Sequence, residues 1–465
     1  MIREAFPLAS ILHRKDTDMT EGSIPRLLIT FAIPLLIGNL FQQLYNTVDS
    51  IVVGNFVGKS ALAAVGCTGP VINAFVSVFI GLSTGSTVVI AQYFGAKDRD
   101  RLSRAVHTTI LVTLVTCVIL TAAGVLATPL MLRLMQTPED VLPQAAEYLR
   151  IFFWGITGVH LYNSCAGILR AVGDSTRPLY LLIFCTMTNT VLDVLFTGIL
   201  GMGIAGAAWA TVISQFLSAI LVLRLLLRTD AAYRVELKQL RFDLPILGKI
   251  LLIGIPSALQ MGITSLSNVF VQSYVNRFAS TVLAGWTAYN RVDSFAMLPM
   301  MSLSTSITTF VGQNLGAGKR DRAKAAVRQG LVMGLLTMTV LLTPLMLFAP
   351  QLTRLFNGDS EVVRYGSWFI RVISPFYLPF AVNQVYLGAL RGAGDTRSSM
   401  VICLSSYVLF RQIYLFVSYR MGGGLLAVAL GYPAGWVLCM VLLLLYYYLN
   451  KNVMQAAAVA APETE

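Results

Sequence analysis

Charge is scarce in this chain. Asp, Glu, Lys and Arg make up 12% of 465 residues, against about 25% in a soluble domain, while apolar residues reach 56%. That balance excludes a water-soluble globular protein and predicts an integral membrane one. Histidine is scarcer still: His13, His107 and His160 lie far apart in sequence. The six cysteines (Cys67, Cys117, Cys165, Cys185, Cys403, Cys439) stand singly, without metal-ligand spacing. They are expected to be small packing residues, with no metal site and no cofactor. A cleavable leader is not expected, because the first apolar run is too long and lacks a small-residue cleavage pattern.

What the chain has in abundance is long uncharged runs. A helix needs about 20 mostly apolar residues to cross the hydrocarbon core, and twelve crossings are predicted, near 28–54, 62–93, 105–127, 143–170, 178–199, 204–227, 247–275, 285–314, 327–348, 364–390, 398–418 and 425–449. The net charge of +12 is explained by topology rather than by nucleic acid. One set of loops holds Arg3, Arg14, Lys15, Arg26; Lys97, Arg99, Arg101, Arg104; Arg228, Arg234, Lys238, Arg241; and Lys319, Arg320, Arg322, Lys324. The opposite loops hold little beyond Lys59, Arg133, Arg277, Arg354 and Arg420. By the positive-inside rule both termini are expected in the cytoplasm, in an inner-membrane protein. Met19, opening "MTEGSIPRLL", is a second possible start.

The chain repeats itself. "QYFGAKDRDRLSRAV" (92–106) aligns without gaps to "QNLGAGKRDRAKAAV" (313–327), with Gln92/Gln313 and Gly95/Gly316 among the identities. At the same shift of 221, "GILRAVGD" (167–174) meets "GALRGAGD" (388–395); at one residue more, Ile33-Pro34 meets Ile255-Pro256. Two six-helix halves in the same orientation follow, an arrangement known in secondary transporters. The expected division is a cytoplasmic extension 1–26, a first lobe 27–228, a linker 229–245, a second lobe 246–450 and a cytoplasmic tail 451–465.

Two acids stand out against this background. Asp49 and Asp193 lie deep in predicted crossings, and their duplicate positions are Val271 and Tyr414. A carboxylate at mid-membrane costs several kcal/mol unless protonated, paired or wetted, and by default marks an ion or proton pathway. The second half folds without these two, so a functional role is expected for them. Helical spacing puts Gln42, Tyr45, Asn46 and Asp49 on one face of the first helix, opposite Leu40, Leu44, Val48 and Ile51. Asn189 and Asp193 are one turn apart on the fifth helix, and small residues in "GMGIAGAAWAT" (201–211) let the sixth approach, with Thr211 adding a hydroxyl. Such oxygens suit a proton or a Na⁺, and the residues do not choose between them. Pro34 can bend the first helix.

The opening "GSIPRLLITFAIPLLIGNLFQQLYNTVDSIVVGNFVG", with "AQYFGAKDRDR", "LRAVGDSTRP", "NTVLD" and the second-half copies, resembles the MATE (multidrug and toxic compound extrusion) transporter family, from Met19 to about Asn450. The resemblance implies two six-helix lobes in a V around a chamber that opens alternately to either side. It also implies export of organic, often cationic and amphipathic compounds in exchange for H⁺ or Na⁺. It places the first-lobe cation site at Asp49, Asn189, Asp193 and Thr211, with Pro34 at the first-helix bend. Acids that another branch carries on the seventh and tenth helices are missing from "IPSALQMGITSLSN" and "YLPFAVNQVYLGALRG".

Other residues are expected around the chamber. Met261, Met297, Met300 and Met301, with Phe295 and Tyr289, are either an adaptable wall or core. Arg411, deep in the eleventh helix, should face a cavity or a partner, orienting an anionic group or reaching toward the interface. Asn163, Asn383 and Gln384 are weaker candidates, and Asp293 is read as solvated near a helix end. "GAGD" (392–395) matches an intramembrane aspartyl peptidase pattern, yet its copy "AVGD" (171–174) also lies in a short basic loop. A charged turn is the better reading, and no enzyme is expected. The expected function is a cation-coupled antiporter, acting as a monomer with small organic substrates and membrane lipids as its partners and no nucleic acid. A flippase of lipid-linked saccharides is the alternative; it should present several cationic residues to phosphates, where this chain offers chiefly Arg411.

Overall fold

A computed structural model describes residues 17–134, 139, 141–450 and 453–454; most of the expected extension 1–26 and tail 451–465 lies outside them. Among the described residues there is no strand. Twelve long helical rods follow one another. The first half holds α1 (Ile24–Phe56), α2 (Lys59–Gly95), α3 (Arg99–Leu134), α4 (Leu142–Ala171), α5 (Thr176–Ile199) and α6 (Gly203–Arg228). The second holds α7 (Leu244–Val275), α8 (Ser280–Gly316), α9 (Arg320–Leu347), α10 (360–392), α11 (Thr396–Arg420) and α12 (Gly431–Leu449).

Ten of these are long and apolar enough to cross a membrane; α4 and α10 are the two that fall short. They occupy duplicate positions, and their packing explains the exception. α4 packs against α2, α3 and α6, and α10 against α8, α9 and α12. Each is the central rod of its half, facing protein more than lipid, and therefore tolerates residues such as His160, Asn163 and Asn383.

The repeat is also a repeat of pairings. α1 on α5, α2 on α4 and α4 on α6 recur as α7 on α11, α8 on α10 and α10 on α12. Between the halves, α2 packs on α7 and α8 packs on both α1 and α2. A Cβ on Gly81 would lie 2.3 Å from the Ala258 backbone, and one on Gly85 2.3 Å from the Ile250 carbonyl. Gly95 and Gly316 are reciprocal: a Cβ on either would sit 1.9 Å from the carbonyl of Gln313 or Gln92 in the other half. These approaches lie in the latter half of α2. In its opposite half a Cβ on Gly66 or Gly69 would meet nothing within 4 Å, so the glycine-mediated approaches between the halves gather at one end of α2.

Side chains lock that junction symmetrically. Gln92 Nε2 donates to the Gly392 carbonyl (3.2 Å) and Gln313 Nε2 to the Ala171 carbonyl (2.8 Å). Donors and acceptors alike are duplicate positions, so the Gln-x-x-Gly identity between the repeats is an interface requirement.

The segment just before α1 breaks the symmetry. The Met19 amide donates to Gln313 Oε1 (3.0 Å), while the Met19 carbonyl accepts from Asn314 Nδ2 (3.1 Å) and Arg322 Nη2 (3.3 Å). Lys319 Nζ donates to the Thr20 carbonyl (2.9 Å). Met19 is fully buried, a burial that contributes about 2 kcal/mol. Gln92 Oε1, the counterpart acceptor, is buried without a partner. The linker docks at the same end of the molecule as the basic loop before α3, through Arg104–Asp243 (3.1 Å) and Glu236 N donating to His107 Nε2 (2.9 Å).

Core packing departs from a division at residues 27–228 and 246–450. Met19, Leu28 and Phe31 pack in the second half's core, and Ile246, Ile250 and Ile253 in a core of the first half. α1 and α7 thus each begin in the opposite lobe and end in their own.

The "AVGD" and "GAGD" segments are turns. Gly173 and Gly394 adopt φ of +86° and +83°, where glycine ends a helix at no steric cost. Asp174 Oδ1 then accepts from the amides of Thr176 and Arg177, and Asp395 Oδ1 from that of Ser398.

Candidate functional site

α1 carries Tyr45 and Asp49 one turn apart, so both reach the same neighbours. Toward the second half, Asn39 Nδ2 donates to Ser302 Oγ (3.2 Å) and Gln43 Nε2 to Ser294 Oγ (3.0 Å). Toward its own lobe, Asp49 is 7% exposed, and the Tyr45 hydroxyl lies 3.0 Å from Thr211 Oγ1 of α6. Leu44 and Ile51 are exposed on the other side, as the helical spacing requires. Gln42 and Asn46 are exposed as well.

α5 supplies Asn189 and Asp193, 1% and 0% exposed. Directly after Asp193 the helix widens into a π turn, Val194–Ile199, a local form frequent at functional sites. Asp193 and Asp49 are close enough to act electrostatically on each other, and both act on Tyr45 and on the buried Tyr148 of α4. Asp49, Asn189, Asp193 and Thr211 are therefore brought together between α1, α5 and α6.

Hydrogen-bond accounting distinguishes this cluster. Asp49 Oδ1, both carboxylate oxygens of Asp193, both polar atoms of the Asn189 amide and Thr197 Oγ1 are buried without a hydrogen-bond partner. Buried polar side-chain atoms are ordinarily bonded, and leaving one unmade costs about 1–3 kcal/mol. Several in one place form a set of hard oxygen donors without internal satisfaction. Tyr148 and Thr197 were not singled out from the sequence. Thr197 had a readable signal, one turn beyond Asp193; Tyr148 had none, since its approach depends on how α4 packs.

The remaining candidates fall elsewhere. Pro34 lies inside the continuous α1, as Pro256 does in α7. Met297 and Met300 are buried in the second half's core, and Met300 packs against Gly334. Met261 is half-buried. Asn163 Nδ2 bonds its own helix at the Val159 carbonyl (2.8 Å), and Asn383 Nδ2 ties α10 to Tyr407 (3.1 Å) and to the Trp436 carbonyl (2.9 Å). Asn383 Oδ1 is buried without a partner.

Asp293 lies in the last turn of Ser280–Ala296, near a helix end as expected, and is half-buried and hydrogen-bonded rather than freely solvated. Its Oδ1 accepts from the hydroxyls of Tyr377 (2.6 Å) and Tyr289 (3.1 Å). Adjacent α8 residues meet α10 there, which no single-helix pattern reveals.

Arg411 is 3% exposed in α11, immediately after a second π turn, Leu404–Phe410. Its Nη2 donates to Ser267 Oγ (2.8 Å) and Asn268 Oδ1 (2.9 Å) of α7, and the guanidinium lies 4.8 Å from the Tyr432 ring centroid.

The MatE family profile matches residues 34–195 and again 256–417. The chain belongs to the MatE family. The two MatE matches begin and end 222 residues apart, so the duplication found in the sequence is one MatE unit twice. This offset sets Arg411 opposite Asn189, and Leu415 rather than Tyr414 opposite Asp193; the π turn before Arg411 absorbs the added residue. The chain is 32% identical over 440 residues to a probable multidrug resistance protein, YoeA, of Bacillus subtilis, covering 92% of this chain and 94% of that protein. It is 27% identical over 402 residues to an FAD transporter of Shewanella oneidensis, covering 84% and 87%. An outward-facing multidrug resistance MATE family transporter superposes with a TM-score of 0.88 at 23% identity, covering 96% of this chain and 100% of that one. This MatE protein is thus a multi-pass membrane protein of the twelve-helix, two-lobe fold.

Proposed function

We propose that the chain is an efflux antiporter of the cytoplasmic membrane. It exports amphipathic organic solutes, cationic ones among them, in exchange for H⁺ or Na⁺ bound by Asp49, Asn189, Asp193 and Thr211. One observation carries this reading: the clustered, buried and unsatisfied oxygens of Asp49, Asn189 and Asp193. The multidrug resistance relatives support it, and the FAD transporter relative widens the range of solutes to be tested.

Orientation follows from charge. The loops rich in Lys and Arg gather where the lobes meet, so this end faces the cytoplasm. A cation arriving from outside satisfies the oxygens of α1 and α5 and draws the latter part of α1 toward its lobe. The first turns of α1 stay in the second lobe's core, so the two ends of one helix respond to different bundles, with Pro34 between them. Solute is released as α1 moves. Coupling requires ion and solute to favour different arrangements, since equal affinity for both shifts nothing.

The test is uphill uptake of ethidium into everted vesicles, where export is directed inward, comparing the native chain with Asp49→Asn and Asp193→Asn. The reading expects transport in the native chain and its loss in both variants. Translocation of a lipid-linked saccharide without ethidium efflux would overturn it in favour of a flippase.

A further inference from the structure

The duplicated pockets carry opposite charge. In the first lobe, α1 and α5 bring Tyr45 and Asp49 to Asp193, with Asn46 next to Tyr45 in sequence and Asn189 one turn before Asp193. The 222-residue offset of the MatE matches gives Ser267, Asn268 and Val271 as the α7 counterparts, and Arg411 as that of Asn189. Arg411 bonds two of those counterparts, Ser267 and Asn268. The same construction thus holds two carboxylates in one lobe and a guanidinium in the other.

That guanidinium is not neutralised. None of the ion pairs among the described residues includes Arg411, and its partners, a hydroxyl, an amide oxygen and an aromatic face, are all uncharged. Its Nε is buried without an acceptor. Taking a charge out of water costs several kcal/mol unless a counter-charge arrives, and an arginine at membrane depth faces a cavity or a partner. Its partner Asn268 reaches the surface of α7. Nearer the Lys- and Arg-rich end, α7 meets α2 at Gly254 and Ala258; Asn268, about four turns from Gly254, is exposed.

We infer that Arg411 binds an anionic group, carboxylate or phosphate, of the solute in the cleft, with Tyr432 flanking its aromatic body. Guanidinium recognises such groups through paired N–H donors, and Nε supplies one unused donor. The inference rests on the antiporter reading and extends its solutes to zwitterions and organic anions: the first lobe takes the coupling cation, the second the solute's negative end.

The experiment is equilibrium binding of fluorescein, a planar aromatic anion, and of ethidium, a planar cation, to the purified full chain in phosphatidylcholine nanodiscs. Saturable fluorescein binding is expected, weakened at least about tenfold by Arg411→Gln and less by Arg411→Lys. Asn268→Asp, which offers Arg411 an internal carboxylate, keeps the pocket paired and should weaken fluorescein to a similar degree; ethidium affinity should hold within about threefold in all three. Competition by benzoate or phenyl phosphate tells which anion is preferred, and either result supports the site. Fluorescein affinity unchanged in both Arg411→Gln and Asn268→Asp would overturn it. So would saturable ethidium binding without fluorescein binding, which leaves the antiporter reading standing; failure of both probes removes that reading as well. Phosphatidylglycerol in the discs abolishing fluorescein binding to the native chain would assign the anion to a lipid headgroup and overturn the solute assignment.

Discussion

The two lobes share helix pairings, interface glycines and reciprocal glutamines, yet their buried charges differ in kind and in satisfaction. The first lobe leaves the oxygens of Asp193 and Asp49 Oδ1 without partners. The second clamps the half-buried Asp293 with two phenols and ties Arg411 through Nη2 to Ser267 and Asn268, leaving only its Nε without an acceptor. A six-helix bundle of this type therefore does not need a particular buried charge to fold. Residue type alone does not mark a site: Asp193 and Asp293 are the same side chain, one unsatisfied and one held.

The largest expected effect tests that contrast. Asp49→Asn or Asp193→Asn should lower uphill ethidium efflux by about tenfold or more, since a charge-bearing ligand is lost from a site of few donors. Asp293→Asn should lower it by no more than about threefold, because an amide oxygen still accepts from Tyr377 and Tyr289. Equal losses at Asp193 and Asp293 would erase the distinction between the lobes.

Next comes the junction. Gly95→Leu and Gly316→Leu each force a side chain into the backbone of the other half, and each should cost about 1–3 kcal/mol, read as matched drops in thermal midpoint in detergent. A tolerated leucine at either position would contradict the reciprocal approach at 1.9 Å.

The glutamines should then differ. Gln313→Ala strands both the Ala171 carbonyl and the Met19 amide and should cost about 2 kcal/mol, whereas Gln92→Ala strands only the Gly392 carbonyl and should cost about 1 kcal/mol. Equal midpoints for the two variants would remove the N-terminal segment from the junction's energetics.

The smallest effect belongs to Asp18, outside the membrane-spanning rods. Burial pushes its carboxyl up, but the Thr20 hydroxyl and amide, with Lys97 and Lys319 nearby, outweigh it and leave the group below its ordinary value. A depressed folded value contributes stability above the ordinary aspartate range near about 4 and loses it as pH falls through the folded value. The midpoint gap between the native chain and Asp18→Ala should therefore be small and constant at neutral pH and should close in acid. A gap that widens in acid would contradict the assignment.

Much of this was legible in the sequence, for physical reasons. Lipid forces long apolar runs, so the rods could be read directly, although α4 and α10 show that a crossing surrounded by protein escapes that pressure. The repeat exposed the interface glycines and glutamines as identities before their role was visible. Helical spacing placed Tyr45 with Asp49 and Asn189 with Asp193. It could not place Met19, Leu28 and Phe31 in the second lobe's core, because an exchange of first turns is set by packing between bundles. Nor could spacing on α8 alone show that Tyr377 of α10 reaches Asp293. Arg411 was recognised as a deep charge, but its relation to Asn189 depended on the π turn that shifts the register by one residue.

The central claim is that the first lobe alone exchanges a cation for solute. Its most direct test is proton or radioactive Na⁺ release from purified protein on addition of ethidium, in weak buffer at varied Na⁺. Release from the native chain and from Asp293→Asn, with none from the Asp49→Asn/Asp193→Asn double variant, is the predicted result. Undiminished release from that double variant would contradict it.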